Sequence, residues 1–268
     1  MVYRPIMGGK SSSGPLKGQF AVIFRGRSGK EVSGVTLQLE RDRLTADCDS
    51  YLEPETEVDF ELKLTDGRVP VAGAGVVSAR HLMPTSQHWA ITVTFGQVSP
   101  EDLARVGGMV EASIRDLADF LREFPLFAEF TPQDTRILSE TCLRHFLARN
   151  QVFFREGVKQ DHLDGLYLVR RGMVRIYRQV SRLREEPIAV ASTGEIFGEL
   201  SLVLTQPHSA SIRAVNDSEL IEVTREGYQL LKAKHLGVAV KLMEVMLKVL
   251  SKRLGRTTKM LFSPMQIQ

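Results

Sequence analysis

A chain of 268 residues is too long for one ordinary β-rich core and suits two domains of roughly 100 to 150 residues each. With 43% apolar and 25% charged residues it has the make-up of a globular protein, and no run approaches the roughly 18 apolar residues of a membrane span. Its 35 basic and 32 acidic residues are spread along the chain for a net charge of +3, so no strong field for nucleic acid or an anionic membrane is built in.

Residues 1–18 carry Ser11, Ser12, Ser13, Gly14 and Pro15 and no apolar stretch of signal length, which predicts a flexible N-terminus on a cytoplasmic protein. Apolar and polar residues then alternate over 20–24, 35–39, 58–64, 69–77 and 89–95, the period of half-buried strands. Asp66 and Gly67 supply the positive-φ positions of a tight turn between the third and fourth of these. Ser99, Pro100, Glu101 and Asp102 place a cap, a first-turn proline and two acids at the start of a helix that runs towards Phe124, with Val110, Ile114, Leu117 and Leu121 on one face. Residues 19–123 thus read as a small antiparallel β-barrel with a linker helix. In its order of strands, its Asp-Gly hairpin and the helix after the last strand, this half resembles a degenerate PilZ domain. The arginine pair and the Asp/Asn-x-Ser-x-x-Gly run of that family's cyclic di-GMP binders are missing; Arg25 and Arg27 of its basic turn are the candidates left to touch phosphate, but such a turn is more often solvated and cyclic di-GMP is not expected.

Phe124 to Phe127 interrupts that helix, and Thr131 with Pro132 starts another that carries Ile137, Leu138 and Leu143 inward. Short strands punctuated by glycine follow at 166–169, 174–177 and 188–190, and 220–223 closes what reads as a second β-barrel. The chain turns helical again from Thr224, then from His235 to Leu254, where Leu242, Val245, Met246 and Val249 form an apolar stripe expected to pair two copies in a homodimer. Residues 124–256 make up this second domain, and 257–268 a tail. The fold class expected is mainly β with helices (α+β): two small barrels joined by a helix, ending in a long helix.

The chemistry concentrates between Phe197 and Ala214. Gly198 lets the backbone approach a ligand, and Glu199, Leu200, Ser201 and Leu202 form a short helical turn whose free N–H groups favour an anion. This stretch resembles the phosphate-binding cassette of cyclic-nucleotide-binding domains of the catabolite-activator and kinase-regulatory-subunit type. The resemblance covers about 124–256 and includes Gly165 to Val169 and Arg171 to Val174. It implies a site for cAMP or cGMP formed by Phe197, Gly198, Glu199, Leu200, Ser201, His208, Ser209 and Ala210, in which Glu199 accepts from the ribose and the Ser209 and Ala210 amides close on the phosphate. One position departs. The family's nucleotide binders carry an arginine after the cassette proline, and here it is His208, which cannot fork two donors onto phosphate. Losing such a bond costs about 1.5 to 3 kcal/mol, or ten- to a hundredfold in affinity. Arg213 on the next strand offers a substitute cation, although its usual place there is a solvated outward position.

Other groups carry no chemistry of their own. Cys48 and Cys142 stand far apart, as reduced thiols would; His81 and His88 flank Trp89, and His145 and His162 lack ligand spacing, so no metal is expected. Asp161, Asp164, Glu185 and Glu186 read as loop charges. With no nucleophile-base order, paired acids or Gly-Lys-Ser/Thr loop, no catalytic residue and no cofactor are predicted. Two functions stay open: a bacterial cyclic-nucleotide regulator acting on an unidentified protein partner, and a ligand-independent adaptor that dimerises and scaffolds a complex. A transcription factor is not expected, because too few residues follow Leu254 for a helix-turn-helix.

Overall fold

The computed structural model describes residues 20–64, 66–82, 88–157, 164–181, 184–204 and 206–262. The expected N-terminal segment 1–18, Thr65, Asp161 and His162 lie outside them.

Six antiparallel strands, β1 (Ala21–Gly26), β2 (Glu31–Leu39), β3 (Arg43–Cys48), β4 (Glu57–Lys63), β5 (Val71–Leu82) and β6 (Trp89–Val98), close into a barrel in the order β1-β2-β3-β6-β5-β4. The barrel shuts where β1 meets β4, with Val22 opposite Leu62 and Phe24 opposite Phe60. Alternation does the work: Val22, Phe24, Leu44, Ala46, Phe60, Leu62, Ile91 and Val93 all point into one core. Gly67 takes φ +73° in the expected hairpin turn, and Asp66 accepts from the Arg68 amide. Cys48 is buried in this core, where burial, with Asp47 and Asp49 near, pushes its thiol up to about 12.

Helix α1 (Pro100–Glu123) is capped by Ser99, whose hydroxyl accepts from the Asp102 amide. It belongs to both halves: Val106 packs into the barrel core, while Leu117 and Leu121 enter the core of the second half. A 3₁₀ turn at 125–127 follows, then α2 (Pro132–Glu140), which opens with a reciprocal capping box between Thr131 and Asp134.

The second half, expected as a second small β-barrel, is built as two four-stranded sheets around a shared core. Its strands β7 (Cys142–Leu147), β8 (Val152–Phe154), β9 (Gly165–Arg171), β10 (Met173–Ser181), β11 (Arg184–Ser192), β12 (Ile196–Phe197), β13 (Ser211–Ala214) and β14 (Ser218–Thr224) form two four-stranded sheets, β11-β10-β13-β8 and β12-β9-β14-β7. Tyr167, Val169 and Leu220 from one sheet meet Phe154, Val174 and Ile212 from the other in a shared core. The β9 and β14 residues between these, Leu166, Leu168, Ile221 and Val223, face the opposite way, onto a helical layer. Strands buried on both faces lose their alternation, which is why β9 and β14 read as continuous apolar runs. Leu143, expected inside a helix, lies in β7.

Helices α3 (Glu199–Val203), α4 (Arg225–Lys234) and α5 (Leu236–Phe262) complete the chain, and α5 continues as helix past the expected boundary at 256. The stripe assigned to dimerisation is not free: Leu242, Val245 and Met246 are buried in the helical layer's core and Val249 packs against it. The apolar content of that face is used up within the protomer. A second stripe, Leu236, Val240, Met243, Leu247, Leu250 and Leu254, runs along another side of α5, and all but half-buried Leu250 are exposed.

Candidate functional site

All eight residues of the expected nucleotide site lie on one cavity of about 530 Å³. Phe197, in β12, pairs with Tyr167 of β9 and stacks on its ring at 5.2 Å, which fixes the entry to the cassette. Gly198 then turns the chain at φ +80°, and a Cβ there would meet the Gly165 carbonyl oxygen at 2.6 Å and Tyr167 at 2.8 Å, so glycine is demanded by both backbone angle and space. The five-residue α3 follows, held by buried Leu202 while Leu200 stays exposed at the cavity wall. Ser209 and Ala210 close the loop beyond the next turn, just before β13 begins. Ile188 and Val190 of β11 and Ile176 of β10 give the cavity an apolar side.

His208 is drawn inward. Its side chain is 2% exposed and stacks flat on Phe154, ring centroids 3.8 Å apart. Nδ1 lies 3.3 Å from the Ser201 hydroxyl, and Nε2 lies 4.0 Å from Asp164 without a hydrogen bond among the described residues. Burial pushes its pKa below the ordinary 6.5, against the opposite pull of Asp164 and Glu222, so the ring is neutral near pH 7. Asp164 is no loop charge: it is buried and paired with Arg225 at 3.3 Å. The same guanidinium donates to the Leu204 and Ser201 carbonyls, pinning the outer end of the cassette.

The substitute cation is spent elsewhere. Arg213 is half-buried, forks onto Glu185 at 2.6 and 3.0 Å, and donates to the Tyr177 hydroxyl. The cations that do line the cavity, Arg253 and Arg256, come from α5, with Thr257 beside them. Arg253 donates one N–H to the Glu199 carboxylate and another to the Ile196 carbonyl. Sequence reasoning missed Phe154, Asp164, Arg225 and Arg253, because each reaches the cassette from a distant segment and none belongs to its motif.

Residues 144–235 match the family described as the cyclic nucleotide-binding domain. This segment is a cyclic nucleotide-binding domain. It is similar to the cyclic AMP receptor protein of Thermus thermophilus, 35% identical over 104 residues, which cover 39% of this chain and 47% of that protein. It is also similar to the cAMP-dependent protein kinase regulatory subunit of Emericella nidulans, 26% identical over 147 residues, or 54% of this chain and 32% of that one. Among solved structures, the Thermus thermophilus catabolite activator protein is matched at 30% identity and TM-score 0.43, over 52% of this chain and 63% of that one. The chain spans less than half the length of the curated relatives it matches. The six-stranded barrel lies outside the segment that the cyclic nucleotide-binding domain family matches.

On that barrel, the two arginines singled out for cyclic di-GMP are engaged with acids. Arg25 bonds Glu31 at 3.0 Å and Glu61 at 2.6 Å, and Arg27 pairs with Glu57. His88 lies 2.8 Å from Asp47 and His145 2.5 Å from Glu222. Among the described residues no cluster of three His, Cys, Asp or Glu stands close enough to hold a metal, and no helix is long and apolar enough to cross a membrane.

Proposed function

We propose that this protein is a non-enzymatic cytoplasmic regulator whose second domain, residues 124–256, takes cAMP or cGMP into the cavity between Phe197 to Ser201 and His208 to Ala210. The observation that carries the reading is the convergence of those eight residues on one cavity inside a cyclic nucleotide-binding domain. Glu199 then accepts from a ribose hydroxyl, the Ser209 and Ala210 amides face the phosphate, and Ile176, Ile188 and Val190 take the flat base. A neutral His208 stacked on Phe154 gives the phosphate no fixed counter-charge, so affinity is low. The first domain, residues 19–123, acts as a PilZ-like module that has given up cyclic di-GMP, in keeping with the acids that hold Arg25 and Arg27. Two copies associate through the exposed stripe of α5, and the signal passes to a protein partner.

Calorimetry with cAMP and cGMP tests the ligand. The wild type is expected to bind weakly and His208→Arg about ten- to a hundredfold more tightly, as a charge-assisted bond to phosphate is restored. No heat from either protein at millimolar nucleotide would leave the second reading, a ligand-independent dimeric adaptor, which the Arg253 contact on Glu199 favours.

A further inference from the structure

We infer that the cleft between the two halves is a ligand site of its own, built for a medium-chain carboxylate, with Arg171 at the head group and an aliphatic wall along the chain. The inference stands apart from the nucleotide reading, because no residue of this cleft lines the cassette cavity.

The site begins with two irregular strands. In a regular strand successive side chains point to opposite faces, so neighbours in sequence do not line one cavity. Here they do. Glu219 and Leu220 of β14 stand opposite Arg171 and Val169 of β9, which leaves Arg170 as an extra residue, and Arg170 and Arg171 both line the cleft. Ala46 and Thr45 of β3 stand opposite Thr36 and Gln38 of β2, which leaves Leu37 as the extra residue, and Leu37, Gln38 and Leu39 line the same cleft from the barrel. Each is a β-bulge, a device that re-aims side chains beside binding sites. Two of them, one from each half, serve one cavity of about 470 Å³, a volume that suits a small organic ligand.

The lining is divided by polarity. On one side Leu37, Leu39, Met109, Val110 and Leu143 are each only half-buried. On the other, three arginines, Arg144, Arg170 and Arg171, stand with two acids, Asp116 and Glu219. Asp116 takes Arg144 and Arg170 at 2.8 Å each, Glu219 takes Arg170 at 3.1 Å, and Arg170 also lies over the Phe120 ring at 5.1 Å. Both acids are thus spent on the same two arginines. Arg171 is exposed and makes no hydrogen bond or ion pair among the described residues, and the buried Nε of Arg144 also lacks a partner among them. The cleft therefore keeps one positive charge in excess beside an uncovered aliphatic wall. One carboxylate balances that charge, and a charge-assisted bond to a guanidinium holds it in place. With its one aromatic ring already covered by Arg170, the wall suits a flexible chain better than a flat ring system. Because the lining comes from both halves, the ligand ties the barrel to the second half.

Calorimetry of the full chain with octanoate tests the site, with 1-octanol as the uncharged control and hydrogen exchange to locate it. Wild type is expected to bind one octanoate per chain, and to bind octanol roughly tenfold more weakly. Arg171→Gln removes a charge that no described residue pairs with, so it should weaken octanoate by about the same factor and leave octanol unchanged. Ala112→Trp, at an exposed position of α1 on the cleft, fills the space and should abolish both. Leu200→Gln, on the wall of the cassette cavity, should alter neither. In the wild type octanoate should slow exchange over 36–39 and over 142–144 together, one segment from each half. No heat at millimolar octanoate, binding untouched by Arg171→Gln and Ala112→Trp, or slowing confined to one half would overturn the site. Thermal unfolding profiles shared by wild type and variants keep a folding defect from imitating these results, and the outcome of the cAMP titrations stands independently of all of them.

Discussion

His208 occupies a position where a ring that can take a proton is packed face to face on Phe154, beside buried Asp164 and its half-buried partner Arg225. Burial lowers its folded pKa below 6.5, whereas the unfolded chain takes up its proton near that value. The folded form therefore binds fewer protons, and the stability this gives is present above 6.5 and lost as the pH falls through the depressed folded value. Thermal unfolding followed through that window should show wild type losing more of its midpoint than His208→Gln, and parallel profiles would refute the assignment. The cassette was legible because Gly198, Glu199 and the Pro207-His208 pair lie within a dozen positions of one another. The orientation of His208 was not, since Phe154 lies 54 positions upstream and Asp164 44. Asp164 itself looked like a loop charge for the same reason: its partner Arg225 is 61 positions away.

Elements were readable where one face is buried and the other wet. Five of the barrel's strands alternate plainly, and α1 announces its start with Ser99 and Pro100. β3 was hidden because its inward residues are only Leu44, Ala46 and Cys48, two of them small. The start of β7 reads as the end of a helix because Leu143 continues the inward set of Ile137 and Leu138. What joins the halves lies between elements and left no local pattern. Asp116 of α1 bonds Arg144 of β7 at 2.8 Å and Arg170 of β9 at 2.9 Å, and Glu219 of β14 lies 3.1 Å from Arg170. Burial alone would raise the Asp116 carboxyl, but the two arginines override it and hold it at about 2 against an ordinary 3.8. Its contribution is thus present above 3.8 and disappears as the pH falls towards 2. Asp116→Asn should cost about 1 kcal/mol in urea unfolding at neutral pH, a small figure because the carboxylate is half exposed and Glu219 still serves both arginines. The same substitution should leave cAMP binding unchanged, since none of these residues lines the cassette cavity.

At the scale of the molecule the long final helix has two apolar faces, and the one that spacing nominates for assembly is the one the protomer itself buries. Heptad spacing is ambiguous in a helix that is apolar on more than one side: Leu242, Val245, Met246 and Val249 fit a seam, but the helical layer of the second half takes them into its own core. The residues left over, Leu236, Val240, Met243, Leu247, Leu250 and Leu254, alternate by four and three over nearly three heptads, the pattern of a two-helix seam. Leu247 is 58% exposed and Leu254 69%, a cost a monomer would carry along the whole helix. A second copy of α5 laid along this stripe would cover it with the same residues from the other side. Sedimentation should therefore find a dimer at micromolar concentration. Met243→Glu combined with Leu247→Glu should yield a monomer with unchanged cooperativity of unfolding, because both side chains are exposed within the protomer. Leu242→Glu, by contrast, puts a charge into the domain core and should unfold it. A wild-type monomer at that concentration, or a dimer that survives both glutamates, would show that the stripe is covered by something other than its own copy.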